Sequence, residues 1–233
     1  MEEITLEIAK KQRPLQKLPL NMRITGWISP YFIYLFAKLG IPPNLITFLW
    51  IIISFISFYF IALGSYWNMV LGILIYHLAI FLDSIDGGLA RITHKTNAGG
   101  EFLDRFFSTL NRSIILLVMG IGLFKARGDF LFLYFGIWSS AFLALENFVK
   151  MKKYESLINS NRLDIIKKIA EKNRNSEKNL KFYIAEAFRP GNHFTLSFFA
   201  IIFNFVHIYL YVFSILVFIQ FLRIFYQEFK ELK

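Results

Sequence analysis

From Leu39 to Leu82 the chain contains no Asp, Glu, Lys or Arg. A helix needs about 20 residues to cross the hydrocarbon core of a bilayer, so this stretch is long enough for two spans. A soluble domain is typically about 25% charged. This chain of 233 residues is 18% charged and 56% hydrophobic, which excludes intrinsic disorder for most of it and points to an all-α integral membrane protein.

The remaining spans follow from the same reasoning. Gly64-Ser65-Tyr66-Trp67-Asn68 separates the first two, because Gly and Ser favour a turn and Tyr and Trp favour the membrane interface. A third span begins near Gly100, carries charges in its first half and is apolar from Ser113 to Phe124. A fourth runs from about Phe130 to Phe148. Pro190 to Phe229 reads as two short spans with a break near Asn204–His207, with one long helix as the alternative. Six transmembrane helices result, forming a domain over residues 41–229. A polar, basic insertion interrupts it at about 150–189, and Leu163–Ala170 within that insertion reads as an amphipathic surface helix. Residues 1–40 form a polar arm and an N-terminal amphipathic interfacial helix. In that helix Trp27, Tyr31, Phe32 and Leu35 mix with Arg23 and Lys38, and Pro30 predicts a kink.

Charge orients the bundle. There are 26 Lys and Arg against 16 Asp and Glu, a net charge of +10. The surplus lies in the N-terminal arm, the Arg91–Lys95 loop, the insertion and the tail (Arg223, Lys230, Lys233). Basic loops stay cytoplasmic. Six spans put both termini and all these segments on the cytoplasmic side, whereas five would strand the basic tail outside. The charge is therefore read as facing lipid headgroups, and no nucleic-acid partner is expected. Cysteine is absent, which excludes disulfides and thiolate metal sites.

The chemistry concentrates in Asp83-Ser84-Ile85-Asp86-Gly87-Gly88-Leu89-Ala90-Arg91 and Gly100-Glu101-Phe102-Leu103-Asp104. Ionised groups in a span are costly and by default mark function. Asp83, Asp86, Gly87 and Ala90 share one helical face; Gly100, Asp104 and Ser108 share a face of the next helix. A short connection lets the two pack antiparallel, so that three carboxylates converge at the cytoplasmic mouth. Small residues at 87, 90 and 100 permit close approach or leave room for a ligand. Such a set is a hard oxygen site suited to Mg2+, with Mn2+ or Ca2+ as alternatives. Arg91, on the same edge, is placed to hold a phosphate bidentately. Carboxylates, a divalent cation and arginine together suit a diphosphate substrate.

The pattern Asp-x2-Asp-Gly-x2-Ala-Arg-x8-Gly-x3-Asp resembles the signature of the CDP-alcohol phosphotransferase (CDP-alcohol phosphatidyltransferase) family. Seven of its eight fixed positions stand here at the right spacings, and Pro43-Asn44-Leu45-Ile46-Thr47 is similar to the family's opening of the first span. The resemblance covers roughly residues 21–227. It implies a six-helix homodimer in the lipid bilayer. Such an enzyme moves a substituted phosphate from a CDP-alcohol, CDP-diacylglycerol foremost, to the hydroxyl of an acceptor alcohol, with a phosphorylated acceptor as one alternative for this chain. CMP is released, in phospholipid biosynthesis. It also implies that Asp83, Asp86 and Asp104 are metal ligands for Mg2+ or Mn2+. Asn44, Thr47, Asp83, Gly87, Ala90, Arg91 and Gly100 would bind the CDP moiety. The family's fourth aspartate, its proposed general base, falls on Ser108. A serine does not accept a proton usefully near pH 7. This leaves a catalytically impaired homologue that binds nucleotide or lipid, or a base supplied by Glu101, Glu146 or an acceptor phosphate.

Other readings are weaker. An ion relay needs carboxylates near the midplane, and these lie towards span ends. A polyprenyl transferase motif would need Asn at Leu82 and Asp at Ala90. An ion-pair network of the three aspartates with Arg91, Arg105 and Arg112 is the structural alternative. Lys152, Lys153 and Arg189 are candidates for an acceptor phosphate, although headgroup contact accounts for them as well. His77 reads as a core histidine and Asn111, one turn deeper on the Asp104/Ser108 face, as a helix-bridging amide, with a weak polar ligand as the alternative.

Overall fold

Turns fall where the chain carries residues that can leave a helix. Gly40, Gly64 and Gly128 all adopt positive φ, at 71°, 83° and 71°, a region glycine enters without steric penalty. The computed structural model describes residues 5–12, 23–162 and 193–232, and every regular element among them is helical. The helices are α1 (Leu6–Gln12), α2 (Arg23–Lys38), α3 (Pro43–Ala62), α4 (Tyr66–Ile92), α5 (Ala98–Arg127), α6 (Phe130–Asn159), α7 (Phe194–Ile202) and α8 (Val206–Lys230). Proline opens α3 at its first residue, where no amide hydrogen is needed. Ser65, Asn97 and Asp129 cap α4, α5 and α6 with side-chain oxygens that accept the backbone N–H of Asn68, Gly100 and Leu131.

Five of these helices, α3, α4, α5, α6 and α8, are long and apolar enough to cross a membrane. The all-α membrane architecture expected from the sequence is thus present. The nine-residue α7 stands where the fifth expected span ends, and the residues before it lie outside the described ones. The chain breaks after it at Phe203–Phe205, with Asn204 at φ 58°, so two helices replace the single-helix alternative. The Leu163–Ala170 helix and Arg189 also fall outside the described residues. α6 continues eleven residues past Phe148, into the polar stretch. Its charged end is sustained by pairing: Glu146–Lys150 at 2.6 Å and Lys152–Glu155 at 2.7 Å along the helix, and Lys153 with Glu228 of α8 and with Glu231 just past its end. Hydropathy marks where lipid ends, not where the helix does.

Packing relies on close backbone approach. α3 lies beside α4, α5 beside α6, and α6 beside α8. A Cβ on Gly120 of α5 would sit 2.6 Å from the Phe132 carbonyl and 2.9 Å from the Gly136 Cα of α6. Paired small residues of this kind let membrane helices gain dispersion contacts, since lipid supplies no hydrophobic drive between them. Most of the buried apolar residues form one cluster around Phe58, Ile73, Ile115, Met119 and Leu210. A second cluster joins α1 and α2 to α3 and α4 through Ala9, Ile33, Ile46, Ile85 and Leu89.

α2 is one continuous helix through Pro30. It buries Gly26, Ser29, Ile33 and Ala37 and exposes Trp27, Ile28, Tyr31, Phe32 and Leu35. A helix with an aromatic, apolar outer face suits the plane of the interface. His77 is satisfied within its own helix, donating from Nδ1 to the Ile73 carbonyl at 2.9 Å. The fully buried His193, which no sequence motif singles out, donates from Nε2 to the Arg112 carbonyl at 2.9 Å and ties α7 to α5.

Candidate functional site

The start of α3, the end of α4 and the start of α5 meet at one end of the bundle around a cavity of about 580 Å³. At about 1.5 Å per residue, Asp83 lies roughly 26 Å along α4 from Tyr66. In a core ~30 Å thick that is close to the far interface, not the midplane. Asp83 and Asp86 project one turn apart from α4, and Asp104 comes from α5. One carboxylate oxygen from each lies within 4.8 Å of the others. Asp86 is buried, and Asp83 and Asp104 are half-buried. Three like charges this close repel strongly in a partly desolvated site. A divalent cation relieves that repulsion, and a set made only of carboxylate oxygens has the hardness that Mg2+ or Mn2+ requires.

Asp86 is held from three directions. Thr47 Oγ1 donates to its Oδ2 at 2.7 Å, Trp50 Nε1 donates to the same oxygen at 3.0 Å, and the Gly87 amide donates to Oδ1 at 2.6 Å. α3 therefore fixes a ligand carried by α4. The spacing explains it: Pro43, Thr47, Trp50 and Ser54 recur every three or four residues and are all buried. Asp83 sits deeper and accepts from Ser108 Oγ at 3.2 Å. The position that departs from the signature is therefore in contact with the carboxylate cluster.

The structure brings together nearly all the residues singled out by sequence. Asn44, Thr47, Asp86, Gly87, Ala90, Arg91, Gly100 and Asp104 line the cavity. Asp83 and Ser108 lie beneath it and do not line it. A Cβ on Gly100 would stand 3.3 Å from Asn44 Oδ1 and 3.4 Å from Asn97 Oδ1, so glycine here lets α3 and α5 close over the cavity floor. A Cβ on Gly87 would stand 3.4 Å from the Arg91 guanidinium. Arg91 thus lies along the cavity wall next to the cluster.

Three lining or supporting residues were not anticipated. Trp50 reads as an apolar span residue, and only its helical register with Thr47 points to Asp86. Asn97, which precedes a Gly-rich helix start, has the capping signature. Lys95 adds a second cation to the cavity wall. The reserve candidates separate. Glu101 lines the cavity but is paired with Arg105 at 2.5 Å. Glu146 does not line it and accepts from Lys150 at 2.6 Å and from Gln220 at 2.7 Å. Lys152 and Lys153 both carry carboxylate partners. Asn111 bridges no helices through its Oδ1, which is buried without a hydrogen-bond partner among the described residues.

Comparison with known proteins agrees with this geometry. The archaetidylinositol phosphate synthase of Pyrococcus horikoshii is 36% identical over 86 residues, which are 37% of this chain and 44% of that protein. An uncharacterized protein of Aquifex aeolicus is 28% identical over 117 residues, 46% of this chain and 56% of that one. The chain spans about half the length of these curated relatives. A family model for CDP-alcohol phosphatidyltransferase matches residues 41–219, from just after α2 into α8. With most of the signature residues lining one cavity and the match covering residues 41–219, the chain belongs to the CDP-alcohol phosphatidyltransferase family.

Proposed function

We propose that the protein transfers a substituted phosphate from a CDP-alcohol to the hydroxyl of an acceptor alcohol, releasing CMP, as a step in phospholipid biosynthesis. The observation that carries this reading is the convergence of Asp83, Asp86 and Asp104 within 4.8 Å, beside a 580 Å³ cavity shared with Arg91. Asp83, Asp86 and Asp104 would hold Mg2+ or Mn2+. When bound, the cation neutralises diphosphate charge and stabilises the charge that develops on the leaving CMP. Arg91 and Lys95 bind the phosphates from the cavity wall. Asn44, Thr47, Gly87, Ala90 and Gly100 shape the nucleotide end, the small residues leaving space for a planar base. Trp50 and Thr47 keep Asp86 oriented. The active end and both termini face the cytoplasm, which the basic segments support, and the assembly is a homodimer. The foremost donor is CDP-diacylglycerol. The name of the Pyrococcus relative adds inositol phosphate to the acceptors worth testing, and a phosphorylated acceptor fits a cavity carrying several cations.

A second reading rests on Ser108, whose hydroxyl contacts Asp83 where a family aspartate would stand. Here the chain binds CDP-alcohol without turnover. Detergent-solubilised protein is incubated with CDP-diacylglycerol, Mg2+ or Mn2+ and a panel of acceptors that includes inositol phosphate. CMP release that depends on an acceptor supports the transferase. Binding of the donor with no CMP from any acceptor supports the impaired homologue. Absence of both refutes the two together.

A further inference from the structure

We infer that Trp50 is a positioning residue that restricts Asp86 to a single bond with the divalent cation, and that it thereby sets the preference for Mg2+ over Ca2+. The inference rests on the reading of the aspartate cluster as a cation site. An ionised carboxylate offers about four lone-pair positions, two on each oxygen. At Asp86 three are taken: Thr47 Oγ1 and Trp50 Nε1 occupy Oδ2, and the Gly87 amide occupies Oδ1. One position on Oδ1 remains for a cation. A cation held there would therefore meet Asp86 through one oxygen.

Denticity matters because the two cations differ in what they accept. Mg2+ takes six ligands in tight octahedral geometry and binds carboxylates through one oxygen. Ca2+ takes six to eight, often with a bidentate carboxylate. A carboxylate whose second oxygen is filled cannot chelate. Trp50 is suited to enforce this. Its side chain is 1% exposed, so the indole is locked by packing, and its N–H has no acceptor role to exchange for donation. Removing the N–H frees a position on Oδ2 and lets Asp86 close on a larger cation with both oxygens.

The test compares wild type with Trp50→Phe and Thr47→Val, each of which removes one Oδ2 donor. Binding of Mn2+ to the solubilised protein is followed by electron paramagnetic resonance of the free ion, and Mg2+ and Ca2+ are each titrated as competitors. Trp50→Phe is expected to shift the Ca2+-to-Mg2+ affinity ratio towards Ca2+ by about fivefold or more, with Thr47→Val moving in the same direction. General loosening of the site weakens both cations and leaves the ratio unmoved. An unchanged ratio in both variants, with Mn2+ still bound, overturns the role of Trp50 alone. If Trp50→Phe does not fold, an unchanged ratio in Thr47→Val overturns it. Wild type that binds no Mn2+ overturns the cation site itself and this inference with it.

Discussion

Replacing Ser108 with aspartate restores the signature and tests the site from two sides. The Ser108 hydroxyl lies 3.2 Å from Asp83 Oδ1, so a carboxylate there adds a fourth negative charge roughly 4 Å from Asp83. Two unit charges 4 Å apart repel by about 4 kcal/mol at an effective dielectric of ~20. Ser108→Asp should therefore melt well below wild type in EDTA, and millimolar Mg2+ should recover most of the loss, because a cation converts repulsion into ligation. Thermal melting in detergent with and without Mg2+ measures both effects. The same variant gains a proton acceptor at the signature position beside Asp83, and general bases contribute about 10²–10⁴-fold. CMP release should rise within that range. Equal melting of variant and wild type in EDTA would mean that residue 108 does not face the cluster, and the geometry would be refuted. Full Mg2+-dependent recovery without faster turnover would show that Ser108 is not the lesion.

Asp86→Asn and Asp104→Asn should each abolish high-affinity Mn2+ binding in the resonance assay and lower CMP release by at least about 100-fold, since each removes one of few ligands. Gly100→Val should weaken CDP binding about tenfold, or about 1.4 kcal/mol, measured calorimetrically, because its side chain meets Asn44 and Asn97. Gly88→Val should cost about 1–3 kcal/mol of stability by overpacking, as a Cβ there would lie 2.4 Å from Ile33 Cδ1. Lys153→Met should lower the melting temperature by unpairing Glu228, at less than the roughly 3–5 kcal/mol of a fully buried pair because Glu231 is half exposed. Nucleotide binding should be unaffected.

Much of this architecture was legible because lipid imposes a simple rule: polar residues in a span need a reason. The break at Gly64–Asn68, the Phe130 start of α6 and the turn at Asn204 all follow from composition and turn chemistry. The carboxylate cluster was legible from i, i+3 spacing on α4 and a short link to α5. Hydropathy was silent on how far α6 continues, because ion pairs extend it beyond the apolar stretch. It was equally silent on Trp50. A tryptophan in an apolar run reads as packing, and its hydrogen bond to Asp86 depends on the register between α3 and α4, which a linear pattern does not encode.

The seat of Ile33 on Gly88 makes α2 more than a float at the membrane surface. Gly88 is two residues from Asp86, and no slack separates the two helices there. A displacement of α2 would therefore press on the α4 turn that carries Asp86. The acidic end of α4 is thus braced directly by the helix that carries the aromatic outer face.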